Sequence, residues 1–309
     1  MSRISFVLPI YNEAQNIPKL WEELTAVTSQ LAQKYAIEYV FVNDASTDES
    51  RTLLDQLQLA NPESVNVLHF SRNYGHQIAV TAGQDYATGD AIIIMDTDLQ
   101  DPPAVCLELV QKWEEGWDVV YAQRRRYKTN FIKQTTAFVF YRLMAKIANV
   151  NIPVDTGDFR LLSKRVNDEM KKFREHSRFL RGISSLVGFK QTAVQFDRSP
   201  RFAGKPGYTF LKSLQLAFDG ITSFSLFPLR FVTITGVLLS AASFILGLGY
   251  VIFSLLGGHA ISGWASMMTV TFFLGGVQML MLGILGEYIG RIYVESLNRP
   301  LYTLDNKDR

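Results

Sequence analysis

The sequence predicts an α/β head joined to a pair of membrane-spanning helices, and three observations carry that reading. Through residues 1–200, short apolar runs alternate with amphipathic stretches, the pattern of a mostly parallel sheet flanked by helices. Residues 231–256 and 260–286 contain no Asp, Glu, Lys or Arg. Each is long enough for a bilayer core of roughly 30 Å, which takes about 20 helical residues. Carboxylates recur at the predicted strand ends, where open α/β sheets place their ligands.

The elements follow in order. Ile4-Ser5-Phe6-Val7-Leu8-Pro9 reads as the first strand and leads into Tyr11-Asn12-Glu13. Asn16 is placed as a helix cap with Pro18 just inside, and Leu20, Leu24 and Val27 continue at helical spacing. Residues 38–44 form a second strand ending in Asp44, which serves either as a helix cap or as a ligand-facing acid. Ser46 and Asp48 stand where the next cap belongs, ahead of the Leu53, Leu54 and Leu57 pattern. Residues 65–70 give a third strand, 71–75 a turn and 78–86 a helix that stops near Gly89. Further on, 105–113 is helical and 118–122 extended.

The central strand starts at Asp90 and runs through Ile92-Ile93-Ile94-Met95 into Asp96-Thr97-Asp98-Leu99-Gln100-Asp101-Pro102-Pro103. On an extended backbone the spacing i, i+2 puts Asp96 and Asp98 on one side, and Gln100 shares their parity. Pro102-Pro103 then stops the strand. Two carboxylates and an amide oxygen at a strand's end suit a hard divalent cation, which takes oxygen ligands.

Composition narrows the function. The 309 residues carry 31 Lys+Arg against 29 Asp+Glu, a net charge of +2, which lacks the basic footprint of a nucleic-acid binder. One cysteine, Cys106, precludes an internal disulfide, fits a reducing compartment and reads as a small hydrophobe on a helix. Met1-Ser2-Arg3 leads into a short run that meets Pro9, unlike a secretory signal. No G-x-G-x-x-G follows the first strand and no phosphate-loop G-x-x-x-x-G-K-[ST] occurs. His69, His76, His176 and His259 lack zinc-ligand spacing and read as structural or solvated.

The second half is basic before it is apolar. Gln123-Arg124-Arg125-Arg126-Tyr127-Lys128 and then Lys133 and Arg142 form either a solvated face or a cradle for an anionic lipid head. Val154-Asp155-Thr156-Gly157-Asp158-Phe159-Arg160-Leu161 reads as a turn carrying two acids, and 188–196 as a further strand. The run from Arg198 to Tyr208, with Arg201 and Lys205, reads as a linker or as a basic loop that closes over a diphosphate. Residues 210–227 carry an apolar stripe (Phe210, Leu214, Ala217, Ile221, Phe224) fit for a bilayer surface. Arg230, Arg291 and Arg299 flank the pair of spans while its short link carries no Lys or Arg, so head and termini are placed in the cytoplasm. The resulting boundaries are 1–208 for the head, 209–229 for the interfacial helix, 230–290 for the two spans and 291–309 for the tail.

Val7-Leu8-Pro9-Ile10-Tyr11-Asn12-Glu13, Val42-Asn43-Asp44-Ala45-Ser46-Thr47-Asp48, Ser71-Arg72-Asn73-Tyr74-Gly75, the Asp96–Pro103 block and Thr156-Gly157-Asp158-Phe159-Arg160 together resemble the family 2 glycosyltransferases of the GT-A fold. The likeness is greatest to the polyisoprenyl-phosphate glycosyltransferases, which include bactoprenol glucosyltransferases and dolichol-phosphate mannose synthases. Gly286-Glu287-Tyr288-Ile289-Gly290-Arg291 matches the bactoprenol branch.

This resemblance implies a Rossmann-like mixed sheet and transfer of a hexose, glucose by default, from a UDP-sugar to undecaprenyl phosphate with inversion. N-acetylglucosamine, mannose or a modified arabinose are the alternative sugars. It implies that Pro9, Tyr11, Glu13 and Asp44 hold the nucleotide, with Arg201 and Lys205 on its diphosphate. Asp96, Asp98 and Gln100 take Mg2+ or Mn2+, Asp158 acts as base or orienting acid, and Arg124 and Lys133 meet the acceptor phosphate. It further implies a bacterial plasma-membrane location, a homotetramer, and a separate flippase and downstream transferase. A processive polysaccharide synthase would carry Gln-x-x-Arg-Trp and more spans, and neither occurs in the sequence. An inactive binding protein would have no need of Asp96, Asp98, Gln100 and Asp158.

Overall fold

The computed structural model describes residues 1–125, 156–197, 227–256 and 263–305, which fall into two compact units. The first takes in residues 1–125, 156–197 and 300–305; the second takes in 227–256 and 263–299. Lys133, Arg201, Lys205 and the interfacial stripe at 210–226 lie outside the described residues.

In the first unit, β1 (Arg3–Ile10), α1 (Ile17–Leu31), β2 (Ala36–Asn43), α2 (Ser50–Ala60) and β3 (Val65–His69) alternate as the sequence predicts. They are followed by α3 (His76–Tyr86), β4 (Ala91–Ile94), α4 (Val105–Glu114) and β5 (Val119–Arg124). Then come β6 (Thr156–Ser163), α5 (Lys164–Met170), α6 (Leu180–Leu186) and β7 (Gln191–Phe196).

The strands order as β3-β2-β1-β4-β6-β5-β7. β1 pairs in parallel with both β2 and β4, so the order reverses at β1/β4 and opens a crevice beyond their carboxyl ends. β6 runs antiparallel to both β4 and β5, which makes the sheet mixed. Phe6, Leu8, Ile93 and Phe41 are fully buried in the sheet. α1 lays Leu20 and Leu24 into the same core, and α3 packs on β1 and β2.

Three sequence expectations are corrected. Residues 156–163 are not a turn. Every residue of β6 is buried, and Arg160 donates to the Gly157 and Asp158 carbonyls at 3.0 and 3.3 Å, so the polar pair is satisfied inside the strand. Asn16 stands at the N-cap of α1 with Pro18 in the first turn, as expected, but makes no side-chain capping bond; its Nδ2 donates to Glu13 instead. The ladder of β4 ends at Ile94 and residues 97–100 are bent, with Leu99 at φ 58°. Strand parity therefore does not set the Asp96–Gln100 geometry; a bent loop does.

The second unit consists of α7 (Phe227–Leu255) and α8 (Trp264–Ser296). Pro228–Leu246 and Val270–Ser296 are long and apolar enough to cross a membrane. Their large apolar side chains stand exposed, among them Phe231, Leu238, Phe244, Phe272 and Leu280, as lipid-facing groups do. α8 runs past Gly286 to Ser296, carrying an i, i+4 bond from Arg291 Nε to Glu287 at 3.0 Å.

Candidate active site

The loops leaving β1, β2 and β4 meet over the switch point, and side-chain bonds stitch the first two together. Asn12 N–H donates to Ser46 Oγ at 3.0 Å, Thr47 N–H to Asn12 Oδ1 at 2.8 Å, and Glu13 N–H to Ser50 Oγ at 3.1 Å. Asp48 accepts from the Ser50 and Ala14 amides, both at 3.0 Å, just ahead of α2, whose cap position is Glu49 and carries no side-chain bond. The β4 loop is tied in by Thr97 Oγ1, which donates to the Pro9 carbonyl at 3.0 Å. Asn12, Ala45 and Leu99, one residue from each loop, have φ between 54 and 58°. Non-glycine residues hold that conformation only where surroundings enforce it, and such strain gathers at functional sites.

These loops enclose a cavity of about 620 Å³. Pro9, Tyr11, Glu13, Asp44, Asp96, Asp98 and Asp158 all line it, joined by Asn73, His76 and Arg181. Gln100 and Arg124 are not among its lining residues. Gln100 instead gives its backbone N–H to Asp98 Oδ1 at 3.1 Å. Arg124 points Nη2 at the buried Asp101 carboxylate, 3.4 Å away.

Asp44 is 2% exposed and accepts the Tyr74 and Gly75 amides at 2.6 and 2.8 Å. Gly75 stands at φ +94°, which only glycine adopts freely, and α3 begins at the next residue. Burial raises the Asp44 carboxyl above its ordinary value against the pull of those two amides.

Asp158 and Asp96 form a coupled set with His76 and Arg181. Asp158 Oδ2 accepts from Gln77 Nε2 at 2.9 Å and lies 3.1 Å from His76 Nε2, while Arg181 Nε donates to Oδ1 at 2.9 Å. Burial alone would raise Asp158, but the Arg181 charge and the His76 bond hold it well below the carboxylate range. Asp96 goes the other way: burial, with the Asp158, Asp101 and Asp98 charges, pushes it up to about 6 despite His76. His76 Nε2 stands 3.5 Å from Asp96 Oδ1. Desolvation pulls His76 down, yet the bond to Asp158 and the two acidic charges carry it up to about 9.

The sequence reading missed His76, Gln77 and Arg181. His76 and Gln77 directly follow the Ser71–Gly75 block, and Arg181 is a cation on a short apolar helix beside Leu180 and Ile183. Cys106 is fully buried and its thiol is pushed up by that burial, the small hydrophobe expected.

A mixed α/β sheet with an acid-lined crevice at its switch point defines a transferase head of the GT-A kind. The chain belongs to glycosyltransferase family 2: residues 5–171 match the profile of that family, and residues 228–292 match the GtrB C-terminal hairpin. It is 46% identical to the uncharacterized glycosyltransferase YkcC of Bacillus subtilis (strain 168), covering 96% of this chain and 92% of that one. It is 41% identical to the prophage bactoprenol glucosyl transferase homolog of Escherichia coli (strain K12), over 98% of both chains. With the bactoprenol glucosyl transferase of Shigella phage SfV the identity is 41% over 99% of both.

Proposed function

We propose that this enzyme transfers glucose from UDP-glucose to undecaprenyl phosphate, with inversion at the anomeric carbon, on the cytoplasmic face of a bacterial plasma membrane. The observation that carries the reading is the meeting of Asp44, Asp96, Asp98 and Asp158 with Arg181 in one cavity. Full-length relatives named for glucosyl transfer to bactoprenol support the choice of sugar and acceptor. The other sugars, a processive synthase and an inactive binder draw no support from those names.

In this reading Pro9, Tyr11, Glu13 and Asp44 hold the nucleotide. Arg181 and His76 present positive charge toward the diphosphate, and Asp158 keeps both in place. Arg201 and Lys205 add the basic loop, and Arg124 with Lys133 receives the acceptor phosphate. A phosphate monoester has its second pKa near 6, so the attacking oxygen is mostly deprotonated at neutral pH without help. Asp158 is therefore assigned an orienting role.

The residues fit a divalent cation, Mg2+ or Mn2+. Asp96 Oδ1 is buried and receives no hydrogen bond, and burial, with the acids crowded around it, raises its pKa. Among the described residues no group of three His, Cys, Asp or Glu is set to hold an ion alone. Mg2+ commonly takes only one or two carboxylates together with substrate phosphates. Asp96 and Asp98 would hold it, with Gln100 as the third oxygen in reserve. Bound there, it would neutralise the charge growing on the leaving diphosphate.

The domain boundaries at 208, 229 and 290 belong to the same reading. Residues 300–305 belong to the head's compact unit. Two crossings return a chain to the face it left, and the basic residues flanking the pair support the cytoplasmic side. A homotetramer, a separate flippase and a downstream transferase for cell-envelope glycan complete the picture on family resemblance. Calorimetric titration of UDP into the full chain tests the cavity assignment. Binding that needs Mn2+ and is lost in Asp96→Asn is expected; binding indifferent to both contradicts it.

A further inference from the structure

Beyond the second apolar helix, Leu301 is buried and the chain lies along the outer edge of the sheet. The Ser71 amide donates to the Thr303 carbonyl at 3.0 Å and the Asp305 amide to the His69 carbonyl at 2.8 Å, with Phe70 and Leu304 bridged antiparallel. β3 is an edge strand, and this segment covers part of its open backbone. Arg51 Nη1 holds Asp305 at 2.9 Å and Tyr302 Oη donates to Asp85 at 2.9 Å.

The contacts converge on one loop. Tyr302 stacks on Phe70 with centroids 5.3 Å apart, and Phe70 meets Tyr74 edge-on, also at 5.3 Å. The Thr303 side chain, ahead of Ser71 and Arg72, draws the Tyr74 phenol below its ordinary pKa. Tyr74 is the residue whose amide, with that of Gly75, fixes the Asp44 carboxylate.

We propose that Tyr302 and Thr303 are positioning residues for the donor nucleotide: the segment after the membrane pair sets the 71–75 loop, and through it Asp44. The inference rests on the reading that Asp44 faces a UDP-sugar. It makes donor affinity depend on a segment more than two hundred residues away in sequence, and leaves acceptor binding untouched.

The test uses the full chain carrying Tyr302→Ala with Thr303→Val, and Thr303→Val alone as the milder variant. UDP titration, KM for UDP-glucose and for undecaprenyl phosphate, and hydrogen exchange at the Tyr74 and Gly75 amides are read together. Loss of one or two hydrogen bonds and a ring stack should weaken UDP about tenfold in the double variant. Donor KM should rise alike, lipid KM stay level, the two amides exchange faster, and Thr303→Ser restore the parent values. Parent-like UDP affinity in folded variants, or equal rises in both KM values, overturns the proposal. A parent chain that binds no UDP instead overturns the donor reading, and the strap then stands or falls on the amide exchange alone.

Discussion

Arg181 Nε donates to Asp158 Oδ1 across 2.9 Å, and this one bond limits what Asp158 can do. With Gln77 and His76 on the other oxygen, both lone-pair sides of the carboxylate are engaged. A base held well below its ordinary pKa accepts a proton poorly at neutral pH.

Asp158→Asn should accordingly keep a residual rate that climbs as the acceptor phosphate ionises near pH 6. Asp96→Ala and Asp98→Ala should abolish turnover at every pH. A flat, near-zero pH profile for Asp158→Asn would return the base role to that residue.

In the proposed reading Arg124 serves the acceptor and not the donor. Its guanidinium lies toward Asp101, at the end of β5 and outside the cavity lining. Arg124→Gln, alone or with Lys133→Gln, should raise KM for the lipid phosphate several-fold more than KM for UDP-glucose. Equal rises in steady-state assays would count against the cradle.

Stability of the metal-free chain should fall at alkaline pH. His76 has a folded pKa of about 9 against an ordinary 6.5. Its contribution is whole below about 6.5 and is lost as pH rises through about 9. Thermal melts in chelator should show Tm declining from pH 7 to 10, and His76→Gln should flatten that decline. An identical slope in both proteins would remove His76 from the acid cluster.

Packing beneath the site makes a separate prediction. A Cβ on Gly83 of α3 would overlap Val7 Cγ1 and press Val42 Cγ2 at 3.3 Å, against the strands that carry Pro9 and Asp44. Gly83→Ala should cost about 1–3 kcal/mol, as overpacked cores do, read as a lower denaturant midpoint. An unchanged midpoint would mean that α3 shifts freely on the sheet.

Periodicity made the alternating head legible, because strands buried on both faces stand out as runs such as Ile92-Ile93-Ile94. The two uncharged spans were legible by length alone. Thr156–Ser163 was not: a Thr-Gly-Asp opening looks like a turn, and only the neighbours β4 and β5 make it a strand. Asp44, Asp96 and Asp98 could be found because they follow closely on buried strands. His76 and Arg181 sit on helices and act through partners 82 and 23 residues away, pairings that local pattern does not carry. The docking of Pro300–Asp305 was hidden for the same reason.

One experiment reaches the centre of the account: mass spectrometry of lipid products after incubating the full chain with undecaprenyl phosphate and a panel of UDP-sugars, with and without Mn2+. A hexosyl-phosphate lipid formed from UDP-glucose, dependent on the cation and absent in Asp96→Ala, is the result predicted. A product that forms without the cation or survives Asp96→Ala, or none from any UDP-sugar, would contradict it.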